Sequence, residues 1–385
     1  MKTSPDNRLL YFCSSWSGGI ADYAHEQAIA IGKQGIAVTL LTSPLFQKEK
    51  ANYQLLPVLT SARSFQSSIT LLKKVVLGWQ IVENYLTLAH VIRQQKFKYV
   101  LLDTYSEYLA PLWSPPLCKL AQEGVKFGAI VHDPVRNYVV GPLWWHRWSI
   151  ACGYSFLSEA FVHEAIELDT EVPMPQLRTT VIPIGSYQFP KPQDTREKVR
   201  TDLGIPNHAK VLLSFGQIRD NKNLDLVLKA MTKHPTTYLV VSGKVSTPTQ
   251  RPLAFYQNLA NSLGISDRCL WLIDFISEQK VSEIFNACDL VLLTYNADFC
   301  SASSVLNLAV NYRRPCLASS GQGNLKTVVE KYRLGIFVEP DSPEAIRHGL
   351  QKWLNGKMPT PMWEQYEKEN SWQRNAEIVI DRLFE

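Results

Sequence analysis

The sequence predicts an α/β protein of two domains, each an open parallel sheet with helices on its faces. Short apolar segments alternate with helix-length amphipathic segments along most of the 385 residues, as in repeated strand–helix–strand units. The alternation stops once, at the proline-rich stretch "PIGSYQFPKPQDT" (183–195), and then starts again. The length is generous for one domain and sufficient for two.

The strands of the first domain are predicted from six apolar segments: "LLYFC" (9–13), "IAVTLLT" (36–42), "YVLLD" (99–103), "FGAIVH" (127–132), "AFVH" (160–163) and "TTVIP" (179–183). Helical patterns lie between them, for example over 20–34. Right-handed crossovers would place such strands in one Rossmann-like sheet, with a crevice at their carboxyl ends.

The strands of the second domain are predicted from five segments: "VLLSFG" (211–216), "YLVVSG" (238–243), "CLWLI" (269–273), "LVLLTY" (290–295) and "PCLAS" (315–319). Residues 223–231 and 277–287 have helical patterns, and the tail from 362 reads as one or two further helices. We therefore expect two Rossmann-like domains, joined near residue 190, that face each other across a ligand-binding cleft.

Composition excludes several classes of protein. The net charge of +5 is mild and does not indicate nucleic acid. The seven cysteines are scattered without a CxxC pair, which favours a reducing compartment over disulfides or zinc. The N-terminus lacks the apolar core of a signal peptide, and we find no run of about 18 apolar residues. We expect a cytoplasmic protein.

Two loops of the first domain carry candidate site residues. In "SSWSGGI" (14–20), Gly18 and Gly19 join a strand to a helix and allow backbone amides to approach an anion. In "IVHDP" (130–134), His132 ends a strand and can hydrogen-bond a sugar hydroxyl, while Asp133 can orient the ring or contact the ligand. Each loop has an ordinary alternative interpretation as a simple turn.

The loop "SFGQIRDNKNLDLVLKA" (214–230) gives the sharpest signal in the second domain. A strand ends near Gly216, Arg219 and Lys222 follow, and a helix begins near Asn223. Two cations beside helix N-terminal amides suit a diphosphate and would stabilise its negative charge as it departs. The alternative is a pair of solvated loop charges.

With these residues in place, the chain resembles the retaining GT-B glycosyltransferases of the large group 1, or family-4-like, superfamily. The similar segments follow the family's order: "WSGGIADYAHEQAIAIGKQGIAVTLLT", "VHDP", "VIPIG", "FGQIRDNKNLDLVLKA", "ISEQKVSEIFNACDLVLLTY" and "SWQRNAEIVIDRL". The resemblance implies an acceptor-side domain over 1–188 and a nucleotide-sugar-binding domain over 189–362. It also implies a C-terminal helix over 363–385 that returns to the first domain.

The resemblance further implies a hexosyl-type transfer from a nucleoside diphosphate sugar to a glycan or lipid-linked acceptor, with retention and without a metal or other cofactor. Lys222 falls on the family's phosphate-binding lysine, His132 on the histidine that contacts the donor sugar, and Gly19 on the glycine loop. Gln217 stands where the family usually has arginine, and Arg219 is a replacement two residues further on.

The larger departure from the family lies in "CSASSVLNLAVNYRRPCLAS" (300–319). The family's paired glutamates fall on Cys300 and Leu308, and residues 299–329 contain no Asp or Glu. Asn307 is polar but points about 100° away from position 308 on a helix. We expect Ser303 or Ser304 to cap the helix that follows, so that its amides and hydroxyls bind diphosphate. Asp298 is the nearest acid and a candidate for contact with the sugar.

Three other functions stay open. A catalytically inactive GT-B scaffold would explain the missing carboxylates but not the retained cations, histidine and glycines. A sugar-nucleotide epimerase would need acid–base carboxylates, of which the sequence offers few. An NAD dehydrogenase fits the outline but not "CSSWSGGIADYA", which lacks GxGxxG spacing.

A basic segment of the first domain has two interpretations. Residues 48–98 hold eight Lys or Arg and two Glu, and 67–96 reads as a helix with Lys73, Lys74 and Trp79. Such a helix can rest on an anionic membrane, which would make the protein peripheral to the inner membrane face, or it can be an ordinary core-facing helix. "WWHRW" (144–148) likewise suits acceptor sugars, a membrane-facing side or the core.

Overall fold

The computed structural model describes residues 7–46, 48, 51–61, 70–103, 105–134, 136, 139–187, 190–245, 250–273, 277–300 and 303–385, with the backbone alone at 70–74. The chain forms two compact units. Met1–Pro183 and Ser371–Glu385 make the first unit, and Ile184–Asn370 makes the second.

The first unit contains a seven-stranded sheet among its described residues: β1 (Arg8–Phe12), β2 (Ala37–Thr42), β3 (Gln54–Pro57), β4 (Tyr99–Leu102), β5 (Lys126–Ile130), β6 (Glu159–Val162) and β7 (Arg178–Val181). Its helices are α1 (Gly19–Lys33), α2 (Thr70–Gln95), α3 (Ala110–Gln122) and α4 (Leu143–Tyr154). The strands are parallel in the order β3-β2-β1-β4-β5-β6-β7, so the order reverses between β1 and β4.

The second unit contains a six-stranded sheet among its described residues: β8 (Lys210–Phe215), β9 (Thr237–Ser242), β10 (Cys269–Leu272), β11 (Leu290–Thr294), β12 (Cys316–Ser319) and β13 (Gly335–Phe337). Its helices are α5 (Arg196–Asp202), α6 (Leu224–Met231), α7 (Leu253–Ser262), α8 (Glu278–Ala287), α9 (Ser304–Asn311), α10 (Asn324–Lys331), α11 (Pro343–Leu354) and α12 (Trp363–Glu369). The parallel order β10-β9-β8-β11-β12-β13 reverses between β8 and β11.

The last helix, α13 (Trp372–Leu383), packs against α1, β5 and β6 of the first unit. Its buried Asn375 donates hydrogen bonds to the Tyr23 hydroxyl (2.9 Å) and the Pro183 carbonyl (2.7 Å), and accepts one from Gln27 (2.6 Å). A buried amide whose bonds are all satisfied fixes one arrangement of the groups around it. The C-terminal helix therefore belongs to the first unit by packing and by specific hydrogen bonds.

The predicted boundaries lie close to those of the compact units but do not coincide with them. The chain changes unit at Pro183/Ile184 and at Asn370/Ser371, compared with 188/189 and 362/363 in the prediction. Helix α12 is in the second unit because Tyr366 is buried in that unit's core. Sequence patterns missed β3 and β13, which are short edge strands with incomplete burial.

Helix α2 packs into the core along its C-terminal half and is more exposed in its N-terminal half. In its C-terminal half, Tyr85, Leu88 and Ile92 are buried in the core, and the Tyr85 ring stacks on Trp113 at 3.8 Å. In its N-terminal half, Trp79 is exposed. Within the described residues, Val75–Gln95 is long and apolar enough to cross a membrane by length and composition. Because one face of that segment forms part of the core, it has the packing of a domain helix.

Candidate functional site

The candidate site residues follow strands next to the point where the strand order reverses in each sheet. Gly18 and Gly19 follow β1 in the first unit, and Lys222 follows β8 in the second. In open parallel sheets, ligands bind outside the carboxyl ends of strands at such reversals. The topology therefore supports ligand binding at the carboxyl ends of the strands in both sheets.

Lys222 lies at the carboxyl end of β8 with its ammonium group turned back over the strand. Its Nζ donates a hydrogen bond to the Phe215 carbonyl (2.5 Å), and a Cβ placed on Gly216 would lie 3.4 Å from it. Gly216 has φ +87°, which favours glycine. Burial lowers the pKa of Lys222 to about 8, and the charge of Arg219 adds to the effect. The site thus holds a confined cation.

Arg219 is exposed, and its guanidinium donates twice to the Gln217 side-chain oxygen. Its positive charge acts to lower the pKa of both Lys222 and Tyr295. The structure therefore brings Arg219, Lys222 and the loop after β11 into one electrostatic environment. Gln217, which stands at the position of the family's arginine, accepts both of these hydrogen bonds from Arg219.

Val305, in the first turn of α9, also lies near Gly216, since a Cβ on Gly216 would approach its Cγ2 at 3.9 Å. Ser303 is the N-cap residue, but its hydroxyl bonds the Tyr295 hydroxyl (3.0 Å), and no side chain of the described residues caps the helix. The expectation that Ser303 or Ser304 caps α9 is therefore wrong. Because the first-turn amides have no side-chain cap, this helix start keeps its preference for an anion.

The positions of the missing glutamates differ in environment. Leu308 is buried in the second unit's core, whereas Cys300 is partly exposed. The neighbouring Asn307 is also buried. It accepts from the Tyr366 hydroxyl and donates to the Ile184 carbonyl (3.4 Å). Asn307 therefore has a structural role.

Asp298 is exposed and accepts a hydrogen bond from Asn296 (3.3 Å). A second acid, Asp341, was not predicted. Its carboxylate accepts from the Asn223 side chain (2.9 Å) and from the Ala297 amide (2.8 Å). It thereby ties the residue after Lys222 to the loop that carries Asp298. Only the folded chain could identify Asp341, which is 118 residues away from Asn223.

The glycine loop of the first unit forms the N-terminus of α1. Gly18 is the N-cap residue with φ 79° and ψ −172°, a conformation that is essentially restricted to glycine. A Cβ on Gly19 would meet no heavy atom within 4 Å. Gly18 is therefore required by the backbone, whereas Gly19 faces open space in which a ligand would fit.

His132 lies just past β5 with both ring nitrogens in contact with other side chains. Its Nε2 lies 2.9 Å from Asp103 Oδ1, and its Nδ1 lies 3.4 Å from Nε2 of His163. Tyr23 packs edge-on against the ring at 4.8 Å, and Asp133 is exposed. The sequence patterns did not single out Asp103 and His163, although each is the last residue of a predicted strand segment, which was the available signal.

Within the described residues, no group of three or more His, Cys, Asp or Glu side chains could hold a metal ion.

Two parallel α/β units with a final helix returned to the first unit define the GT-B fold, and solved structures share it. A glycosyltransferase from Rickettsia africae superposes with a TM-score of 0.69 at 15% identity, covering 98% of each chain. HepE of Anabaena, solved in complex with UDP-glucose, superposes with a TM-score of 0.59 at 14% identity, covering 98% of this chain and 95% of that one.

Residues 195–378 match the family described as "Glycosyl transferases group 1". This match covers just under half of the chain and, together with the fold, supports a group 1 GT-B glycosyltransferase. The D-inositol 3-phosphate glycosyltransferase of Corynebacterium jeikeium is 26% identical over 200 residues. That alignment covers 49% of this chain and 46% of the relative, so the chain spans about half the length of this curated relative.

Proposed function

We propose that the protein is a retaining glycosyltransferase that moves a sugar, of hexosyl type, from a nucleoside diphosphate sugar to a glycan or lipid-linked acceptor in polysaccharide biosynthesis. The observation that carries the proposal is the confined ammonium group of Lys222, beside Gly216 and the start of α9. A cation and a helix N-terminus that converge on one point form an anion site.

In this proposal the donor's diphosphate binds Lys222 and Arg219, with the amides and hydroxyls of Ser303 and Ser304. Gly18 and Gly19 leave room for a phosphate at the start of α1. Charge-assisted hydrogen bonds to phosphate are stronger than neutral ones, and they strengthen further as charge develops on a leaving group. Lys222 and Arg219 therefore favour departure of the nucleoside diphosphate as well as its binding.

Retention is consistent with the lack of carboxylates at Cys300 and Leu308. The bond between the anomeric carbon and the diphosphate oxygen breaks, and the acceptor oxygen bonds the same face of that carbon. The acceptor's proton passes to the departing phosphate oxygen, so no protein carboxylate has to act as a base. His132 contacts the transferred sugar, and Asp133 or Asp298 contacts the sugar or the acceptor.

The related proteins support this donor class. HepE is described in complex with UDP-glucose, and the corynebacterial relative is named for transfer to inositol 3-phosphate. These descriptions concern those proteins and motivate the choice of ligands for this one. We propose no cofactor and no metal for the reaction.

The direct experiment is a screen of UDP-, GDP-, ADP- and dTDP-sugars by thermal shift, followed by nucleotide release and by NMR of the product's anomeric configuration. One donor should raise Tm and release its nucleotide with retention. Inversion would refute the stereochemistry.

A binding or scaffold protein with the same fold is the second candidate, and the burial of Leu308 in the core favours it. A scaffold would show neither stabilisation by a nucleotide sugar nor nucleotide release in the same screen. If a donor stabilises the protein but no nucleotide is released with any acceptor, the protein is a nucleotide-sugar-binding scaffold.

We also propose a peripheral contact of the first unit with the cytoplasmic face of a membrane. Trp79 near the start of α2, Leu112 on α3, and Trp144 and Trp148 on α4 are all exposed. Amphipathic aromatic rings favour the bilayer interface, and the +6 charge balance of 48–98 favours anionic lipid.

Co-sedimentation with vesicles containing anionic lipid tests this contact, and Trp144→Ser with Trp148→Ser should weaken it. Equal binding by the variant would refute it.

A further inference from the structure

A buried carboxylate, Asp103, has no part in the proposed transfer, yet it contacts a residue that does. It directly follows β4, its residue is fully buried, and its Oδ1 lies 2.9 Å from Nε2 of His132. Burial raises the pKa of Asp103, and the hydrogen bond with His132 opposes that rise. Burying a carboxylate is costly unless it is paired, so the contact with His132 is a built feature.

The directions of the hydrogen bonds around His132 are set by a backbone carbonyl. Nδ1 of His163 lies 3.2 Å from the Ile182 oxygen, which can only accept, so this Nδ1 carries a hydrogen. Burial lowers the pKa of His163 to about 3, and this ring is therefore neutral. Its Nε2 is then an acceptor, and the facing Nδ1 of His132 must be the donor.

One proton is consequently shared between His132 and Asp103. It lies either on His132 Nε2, opposite a carboxylate, or on Asp103, opposite a neutral ring. In both forms Nδ1 of His132 carries a hydrogen. Among the described residues, the other titratable groups around the pair are Tyr23 of α1, Tyr11 of β1 and Cys13. Hydrogen bonds from Tyr11 and Cys13 favour the ionised form of Asp103.

The contact between His132 and His163 is the weaker of the two hydrogen bonds made by the His132 ring. At 3.4 Å it is long for a nitrogen–nitrogen hydrogen bond, whereas the contact with Asp103 has ordinary length. The His132 side chain keeps 22% of its surface exposed, so a ligand can reach the ring. A hydroxyl or carbonyl oxygen is a suitable acceptor for the Nδ1 hydrogen.

We infer that Asp103 is a positioning residue that keeps His132 a hydrogen-bond donor through Nδ1, and that a ligand oxygen replaces His163 as the acceptor. This inference rests on the proposed function for the identity of the ligand, a sugar oxygen. The bond directions themselves depend on the fold alone. A carboxylate that fixes the tautomer and orientation of a histidine is a known way to prepare the ring for its role.

The test is nitrogen–proton NMR of the histidine rings in the whole protein without ligand, with His132→Gln to assign the signals. Wild type should show a hydrogen on Nδ1 of His132 at pH 7. Asp103→Asn should change the ring signal at Nε2, because an amide can donate to Nε2 but cannot share a proton with it. A bare Nδ1 in wild type overturns the inference, and so does an unchanged ring signal in Asp103→Asn. The wild-type spectrum decides even if the variant does not fold.

With an active donor in hand, Asp103→Asn should lower kcat at least tenfold, because the carboxylate no longer orients the His132 ring. Asp381→Asn, an exposed carboxylate of the same unit, is the matched control and should leave kcat unchanged. A purely structural role for Asp103 would lower the amount of folded enzyme without changing kcat per folded molecule. If no donor is found, the proposed function fails while the NMR result still decides the role of Asp103.

Discussion

The two candidate sites lie at the carboxyl ends of the strands, one in the first sheet (the first edge) and one in the second sheet (the second edge), and their charged groups differ. At the first, Asp103, His132 and His163 form a hydrogen-bonded chain in which one proton is shared and the ring directions are fixed. At the second, Lys222 is a confined cation beside a helix start that no described side chain caps. In the proposed function, the second edge binds the anionic diphosphate and the first presents an oriented hydrogen-bond donor.

The largest expected effect comes from placing a carboxylate at Leu308, one of the two positions where the family has glutamate. Leu308→Glu should lower the Tm by about 10 °C, because a charge would enter the core at a cost of roughly 4 kcal/mol. Cys300→Glu, at the other glutamate position, should lower it by less than about 3 °C because that side chain is partly exposed. Thermal unfolding measures both, and similar Tm values for the two variants would show that Leu308 does not lie in the core.

Removing the cation of the second edge should come next. Lys222→Ala should weaken the Kd of the matching nucleoside diphosphate by roughly thirtyfold to 150-fold, since a hydrogen bond to a charged group contributes about 2–3 kcal/mol. Calorimetric titration measures it, with the exposed Lys229→Ala on α6 as the control. Unchanged affinity in Lys222→Ala would mean that the diphosphate binds elsewhere.

The first edge should respond to acid. With a folded pKa of about 3 against 6.5 when unfolded, His163 stays neutral in the fold while the unfolded chain takes up a proton. Its contribution to stability is therefore complete above pH 6.5 and declines as the pH falls toward 3, by at most about 1.4 kcal/mol per pH unit. His163→Gln should flatten the dependence of Tm on pH between 7 and 5, whereas the exposed His208→Gln should not. Equal slopes in wild type and His163→Gln would contradict this assignment.

The second edge should instead respond to alkali. Burial lowers the pKa of Lys222 to about 8, so the free protein loses this charge as the pH rises through 8. The Kd for a nucleoside diphosphate should weaken by up to about tenfold per unit above pH 8.5. Lys222→Ala should remove that dependence. A Kd independent of pH in wild type would show that Lys222 does not bind the ligand's charge.

The smallest expected effect concerns the serine at the start of α9. Ser303→Ala and Tyr295→Phe each remove the same 3.0 Å hydrogen bond and should weaken nucleoside diphosphate binding by at most about fivefold, or 1 kcal/mol. Ser303→Ala should weaken binding more than Tyr295→Phe does, because it also removes the hydroxyl proposed to bind the diphosphate. Equal binding by the two variants would mean that the Ser303 hydroxyl serves only the bond with Tyr295.

Sequence patterns alone determined the fold class and most of the strands, because apolar segments of strand length between helical patterns have few stable arrangements other than parallel sheets. They also singled out Gly18, His132 and Lys222, since residues that directly follow such strands meet at one edge of the sheet. These inferences depend on local order along the chain, which the sequence states directly.

Only the tertiary structure decided what these residues contact. The pairing of His132 with Asp103 joins residues that are 29 positions apart, and the bond from Asn223 to Asp341 spans 118. Ser303 bonds Tyr295 instead of capping α9, and Leu308 faces the core, because both depend on which elements pack against that helix. Hydrogen bonds and burial arise from close packing between distant segments, and no local pattern in the sequence encodes them.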